Sequence, residues 1–564
     1  MRLARAFAPP ALALAAALAA CALPPDGASP PTDQPLSYLD QGWSPALRQQ
    51  FYYTPQGSHM MPASWFAALE RPDGAGRFGD PAYLERFGFL PPDGDGPDAA
   101  LNPEGYPIGL AVERKADQIG LTCAACHTAT VEVNGAPIRI DGAPAHLDFD
   151  RFYQALARAV SLTVRDPERL ARFTTALGAL GALGATDADA ARALAAELAA
   201  FDRTLAADAV MRRPALDSGF GRVDALTQIV NALAVRDQAE PSNLHPVAAP
   251  TSYPALWLTP ELDFVQWNPI AASPIARNGG QVLGVFGRTA LGPDAGAEAF
   301  RSTMLLPELA AMEEWLRQLE PPAWDEARMG VIDRTLAAEG EALVRDSCAG
   351  CHTMPPYART DPADNPFGKS FIRIGRVDFR TVGTDPNYAQ SLLTRQIATN
   401  ATTARLFDGA EVVPAPLFFA GTVAAAVERA MDDADLSPQE KVALNGFRFD
   451  PGPDGRPVPT RPPRLTDMKA GPLAGVWATG PYLHNGSVPT IYELLSPVEE
   501  RRTVFWTGGR ALDLERLGYE SGEAPGRFRF DTRLPGNGNG GHLYPSGGLT
   551  PAERWAIIEY LKTQ

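Results

Sequence analysis

The sequence predicts a mainly α-helical protein built from two motif-bearing units, with long loops and small β-hairpins. Three observations carry that expectation. The motif Cys123-Ala124-Ala125-Cys126-His127 returns far downstream as Cys348-Ala349-Gly350-Cys351-His352. A tryptophan-bearing helical segment closes each unit, around Trp315 and around Trp555. Helix-start signals recur along the chain, and its 54 Pro and 51 Gly imply long loops between the helices.

The repeated motif is C-x-x-C-H, the attachment signature of c-type haem. Two thiols three positions apart can each join one vinyl group of the same porphyrin, and the adjacent histidine then reaches the iron as an axial ligand. The chain has 5 cysteines; the two motifs use all but Cys21, which ends a hydrophobic leader. None is left for a disulfide or a separate zinc cluster. A dithiol redox pair and a zinc site made from the motif cysteines are the competing readings, but neither gives His127 and His352 a role. The expected cofactors are therefore two covalently bound c-type haems, attached at Cys123 and Cys126 and at Cys348 and Cys351, with His127 and His352 as iron ligands.

Taken from the N-terminus, residues 1–20 read as an export leader. Arg2 and Arg5 precede an Ala/Leu-rich run that is interrupted by Pro9 and Pro10 and is too short to span a bilayer. Leu18-Ala19-Ala20-Cys21 resembles a bacterial lipobox, which implies cleavage before Cys21 and lipidation of that cysteine. Ordinary signal cleavage near the same alanines is the alternative. Ala22 after the cysteine suggests, by the lipoprotein sorting pattern, the outer membrane. Residues 21–35 read as a flexible tether. The first haem unit is assigned to residues 36–322 and the second to residues 323–564.

Thr130-Val131-Glu132-Val133 and Ile138-Arg139-Ile140 flank Asn134-Gly135, a β-hairpin signal. Asp148 opens a helix carrying Phe149, Phe152 and Leu156; Asp166-Pro167-Glu168 opens another, and the alanine-rich stretch 185–207 predicts a third. From Leu306 onward, Leu309, Met312, Leu316 and Leu319 share one helical face until Pro321-Pro322 stops it. In the second unit, the segment 336–344 is helical just before Cys348. Gly340 is costly inside a helix; its expected use is a close helix crossing, as where the first and last helices of cytochrome c folds pack over the haem. Thr550-Pro551-Ala552-Glu553 supplies an N-cap, a first-turn proline and a capping-box glutamate, and Trp555, Ile558 and Leu561 follow as a buried stripe. Both units are thus expected to be cytochrome c-like.

Composition narrows the function. At 45% hydrophobic residues, a chain of 564 residues can bury large cores. The net charge of −16 becomes −18 once Arg2 and Arg5 leave with the leader. Such acidity argues against nucleic acid as a partner. It suits docking of a basic electron donor, and equally a role in solubility alone. Asp and Glu form no spaced metal motif, and past the leader no stretch is apolar and long enough to span a membrane.

Two distant C-x-x-C-H motifs make the chain similar to the bacterial di-haem cytochrome c peroxidase superfamily. Further segments resemble its rubber-oxygenase-type branch: Gly120-Leu121-Thr122, the run from Pro250 to Trp257, Phe264-Val265-Gln266-Trp267-Asn268, the run from Gln281 to Gly287, the run from Gly480 to Thr490, and Gly540-Gly541-His542. The resemblance implies one haem with an open or openable iron, where peroxide or dioxygen reacts, and a second, six-coordinate haem that stores or supplies electrons. It implies His484 as the distal ligand of the second haem, with Met354 and Met468 as competing thioether ligands. No comparable motif serves the first haem, so the open iron is expected there. His146, His245 and His59 read as structural, and His542 as part of a close backbone approach to the second haem. Trp257, Trp267 and Phe286 are pocket or inter-haem candidates, and Tyr253 and Gln266 are candidate hydrogen-bond donors to an iron-bound oxygen. For each aromatic, plain core packing is the competing reading. The superfamily also admits calcium between the haems, without ligands identifiable in this chain.

The functional expectation is an exported di-haem c-type cytochrome oxidoreductase, peroxidase-like or oxygenase-like. Peroxide or dioxygen would react at the N-terminal haem. A small electron-donor protein would be a partner, and contact with the membrane would be through the lipid anchor only. Two alternatives stand beside it: a lipid-anchored electron carrier with both irons saturated, and a zinc-stabilised lipoprotein without haem.

Overall fold

The computed structural model describes residues 34–93, 100–182, 188–272, 274–364, 369–445, 449–451, 457–459 and 464–564. The leader, Cys21 and nearly all of the tether lie outside the described residues.

The expected helices form where their start signals stand. Asp148 caps Phe149–Arg165, its carboxylate accepting from the Arg151 N–H. Asp166 ends that helix and caps the next, Pro167–Ala179, through the N–H groups of Glu168 and Arg169. The alanine-rich helix runs Ala188–Arg212. Phe152, Leu156, Phe173, Leu177, Leu198 and Leu205 from these three helices share one core. The helix Leu306–Leu316 buries Leu309, Met312 and Leu316 as predicted, and Trp43 donates from Nε1 to the Trp315 carbonyl at 2.8 Å. Helix Pro551–Leu561 opens with the complete capping box of Thr550 and Glu553.

The hairpin is also present. Strands Thr128–Val133 and Ala136–Asp141 pair in antiparallel register with Val133 opposite Ala136. Asn134 and Gly135 make the two-residue turn with φ of 52° and 79°, the left-handed pair that a type I′ turn requires. Gly340 has the expected use. A Cβ there would lie 1.9 Å from the Ala556 carbonyl oxygen, so helix Arg334–Ser347 crosses helix Pro551–Leu561 backbone against backbone.

The predicted fold class needs correction. Helix accounts for 42% of the chain and strand for 14%. Among the described residues the strands form eight sheets of two or three strands each. The molecule is not mainly α and does not present two all-α cytochrome c-like domains. The physical reason is local to the motifs. The second follows a helix that packs on the C-terminal helix, whereas the first sits between strands, Gln118–Leu121 before it and Thr128–Val133 after it. The helix-crossing pattern at the second motif does not carry over to the first.

One hydrophobic core draws on both halves of the sequence, including Leu39, Trp257, Trp324, Trp477 and Leu561. The Trp324 and Trp477 rings meet edge to face at 5.5 Å, and Trp477 Nε1 donates to the Pro322 carbonyl at 2.9 Å. No described helix is long and apolar enough to cross a membrane.

Candidate functional site

The two cysteine motifs adopt the same local shape. In the first, the N–H groups of Cys126 and His127 both donate to the Cys123 carbonyl, at 3.2 and 3.0 Å. In the second, those of Cys351 and His352 donate to the Cys348 carbonyl, at 3.0 and 2.9 Å. One turn gathers both sulfurs and the imidazole together. Close backbone approaches hold each turn: a Cβ at Gly109 (φ +90°) would lie 2.3 Å from the Ala125 nitrogen, and one at Gly375 would lie 1.8 Å from the Cys351 carbonyl oxygen.

Each motif histidine is oriented by a carbonyl. His127 Nδ1 lies 2.8 Å from the Pro254 oxygen, and His352 Nδ1 lies 2.8 Å from the Gly471 oxygen. A carbonyl only accepts, so Nδ1 carries the proton in both rings and Nε2 presents a lone pair. That is the second-sphere arrangement that fixes a metal-binding imidazole in its ligating tautomer. Burial holds both rings neutral, lowering the pKa of His127 to about 4 and that of His352 below its ordinary value. Burial likewise pushes the thiols up, to about 12 at Cys123 and Cys126 and about 11 at Cys348. All three are nonetheless only half-buried by exposed area, and Cys348 borders an internal void.

At the second motif the void is a cavity of about 310 Å³, within the range of ligand pockets. Cys348, Cys351, His352, His484, His542 and Met468 lie on its wall. The His542 ring faces the His352 ring, with centroids 6.2 Å apart and planes at 68°. An imidazole nitrogen sits about 2 Å from a bound metal, so two rings facing across one ion have centroids about 6 Å apart. The spacing fits one iron between them. His542 Nδ1 has no partner, and burial lowers the pKa of its ring to about 4, helped by His352 and Arg501. His542 itself is in the left-handed region (φ 56°), and its N–H donates to the Val382 carbonyl at 2.9 Å. The glycine-rich stretch makes a close backbone approach to Val382 and Gly383, and there it places the His542 ring on the cavity wall.

His484 lines the same cavity. Its Nδ1 lies 3.3 Å from Thr384 Oγ1, and its ring stands 6.0 Å from Tyr388. Burial lowers its pKa to about 3, helped by Arg222. Its carbonyl accepts from the Ser252 N–H at 2.9 Å, tying the 480–490 loop to the 250–257 segment. Asn485 Nδ2 donates to the Gly536 and Gly538 carbonyls, tying the same loop to the segment that carries His542.

The remaining candidates divide. Tyr253, Trp257 and Trp267 lie on the cavity wall. Trp257 Nε1 donates to the Ala474 carbonyl at 2.8 Å and Trp267 Nε1 to the Ser252 carbonyl at 2.9 Å. Tyr253 lies 6.3 Å from the His127 ring and donates its hydroxyl to the Leu147 carbonyl. Phe286 packs instead against Tyr153 and the Arg212 guanidinium. Gln266 has φ 76° and is absent from the cavity wall. Met468 borders the cavity, whereas Met354 is buried in the core away from its wall. His146 packs on Tyr519, His245 contacts the Pro246 carbonyl, and His59 pairs with Glu113 at 2.7 Å. Among the described residues no group of three or more His, Cys, Asp or Glu is arranged to hold a metal ion.

An uncharacterized protein y4iJ of Sinorhizobium fredii (strain NBRC 101917 / NGR234) is 33% identical over 580 residues, which span 94% of this chain and 93% of that protein. The chain belongs to the y4iJ family. A second uncharacterized protein of the same organism, y4iM, is 26% identical to this y4iJ-family chain over 370 residues, 60% of the chain and 70% of y4iM. A RoxA-like, cytochrome c-like family model matches residues 468–507. That segment holds Met468, Gly471 and His484 of the cavity wall. It points to haem as the cofactor and to a haem-related oxidoreductase.

Proposed function

We propose that this protein is a di-haem c-type cytochrome oxidoreductase that activates peroxide or dioxygen at its N-terminal haem. The observation that carries the reading is the matched pair of motif histidines, each with Nδ1 on a carbonyl and Nε2 left to ligate. Haem bound at the two motifs would supply redox-active iron able to bind small oxygen species.

The chain's own part is attachment, orientation and exclusion of water. Cys123 and Cys126 would hold one porphyrin, and Cys348 and Cys351 the other. His127 and His352 would ligate the irons through Nε2. His542, 6.2 Å from His352, is the better-placed sixth ligand for the second haem. His484 remains the competing ligand on the same cavity wall. The open iron of this proposal is at the first motif, where Tyr253 packs beside His127. Trp257 lies between the halves: a Cβ at Gly142 or at Gly475 would touch its ring. With Trp267 it lines the cavity at the second motif, and both indole N–H groups are fixed by carbonyls. Each motif serves one haem unit, 36–322 and 323–564. We place the protein in the bacterial cell envelope, lipid-anchored at Cys21 and facing the periplasm or exterior. Electrons would come from a small donor protein.

The test is the absorption spectrum of the purified protein, oxidised and reduced, with and without carbon monoxide. Two c-type haems with carbon monoxide bound at one support the reading. Two haems that both refuse carbon monoxide and peroxide would instead make the protein an electron carrier.

A further inference from the structure

Among the residues that line the cavity at the second motif, Lys469 is the one with a fixed charge. It sits on strand Asp467–Ala470, and its N–H donates to the Trp267 carbonyl at 2.8 Å. Its ammonium lies 5.6 Å from the centre of the Trp267 ring. Its Cε would be 3.9 Å from a Cβ at Gly471, the residue whose carbonyl orients His352. The side chain therefore lies on the cavity wall between Gly471 and Trp267.

This ammonium has no counter-ion among the described residues. Burial, and then a second cation, Arg277, lower the lysine pKa to about 8. The carboxylate beside Arg277, Glu313, is already engaged. It accepts from Arg277 Nη2 at 2.9 and 2.7 Å and from Asn278 Nδ2 at 2.8 Å. The Trp267 face offers a cation–π contact but accepts none of the three N–H donors in the way an oxygen would. A cation on an apolar wall with unmet donors is costly unless an anion shares the site.

We propose that Lys469 anchors a carboxylate inside this cavity, and that this carboxylate is a propionate of the porphyrin attached at Cys348 and Cys351. The proposal rests on the di-haem reading above. A porphyrin joined to the chain through its vinyl carbons would keep both propionates free, and a cation on the same cavity wall could pair with one of them. A free carboxylate ligand entering the same cavity has the same chemistry, and the test separates the two.

The test compares wild type, Lys469→Gln and Lys469→Arg, all purified as holoprotein with haem counted first. Midpoint potentials of the two haems are followed at pH 7 by EPR-monitored redox titration. A nearby cation favours the reduced iron. Lys469→Gln should therefore lower the potential of the second haem and leave the first unchanged, and Lys469→Arg should restore it. Unchanged potentials in Lys469→Gln, or equal shifts at both haems, would overturn the assignment. A potential of wild type that moves on adding acetate, but not in Lys469→Gln, would also overturn it, because the ammonium would then serve a soluble anion. Should Lys469→Gln fail to fold, Lys469→Met takes its place in the same comparison. Wild type without covalent haem would sink the di-haem reading itself. Two haems with unmoved potentials would sink the lysine assignment alone.

Discussion

At the residue scale, the account turns on which imidazole faces which. The two motifs and their histidines were legible in the sequence because the chemistry demands fixed local spacing. His542 was legible only as a residue in a glycine-rich stretch. Its position depends on a non-local contact: its N–H meets the Val382 carbonyl, and a Cβ at Gly541 would lie 2.4 Å from the same oxygen. No periodicity reports a contact between segments so far apart in the chain. A half-buried histidine whose Nδ1 is enclosed without a partner is the signal that exposes it. Phe286 and Gln266 looked equivalent to Trp257 and Trp267 as sequence motifs, yet only the two tryptophans reach the cavity. We expect His542→Ala to convert the second haem from low to high spin and His484→Ala to leave it low-spin, read from the oxidised absorption and EPR spectra. The opposite pattern would make His484 the ligand.

At the element scale, helices and the hairpin were legible because their signals are local: Asp148, Asp166 and Thr550 cap where expected, and Asn134-Gly135 turns where expected. The short strands were not. Asp467–Ala470 pairs with Gly375–Asp378, and Val504–Thr507 with Phe528–Asp531, without a tight turn between them. Strands of four residues joined by long connections leave too little alternation to read. The Asp467–Ala470 strand matters most, because it carries Lys469 and leads into Gly471. Gly340 gives the sharpest mutational handle. Gly340→Ala would gain about 1 kcal/mol of helix propensity in isolation. Here its methyl meets the Ala556 carbonyl, and overpacking of that kind costs about 1–3 kcal/mol or more. We expect a net loss of stability in urea titration and weaker haem incorporation at the second motif than at the first. A variant as stable as wild type would contradict the close crossing.

At the scale of the whole molecule, the two motifs are served by different frameworks, strands around the first and crossed helices around the second, with one core shared between the halves. Burial also sets a pH dependence. Burial is the first cause lowering the pKa of His127 and His542 to about 4, that of His146 and His484 to about 3, and that of His352 below its ordinary value. Below pH 6.5 the unfolded chain binds protons that the folded chain refuses, so this part of the stability falls as pH falls towards 3. Five carboxyls raised by burial act the opposite way: Asp148 to about 6, Asp150 to about 7, and Asp141, Asp224 and Asp237 above their ordinary values. The paired carboxylates Asp208, Glu70 and Glu104, held below their ordinary range, act with the histidines, so the urea midpoint should drop between pH 7 and pH 4. A midpoint that rises on acidification would contradict the buried neutral imidazoles.

The most direct test of covalent double attachment is the intact mass of the purified mature protein. The account predicts the polypeptide plus two porphyrins, falling to one porphyrin in Cys348→Ala/Cys351→Ala and to the other alone in Cys123→Ala/Cys126→Ala. A colourless protein carrying no porphyrin mass would contradict it.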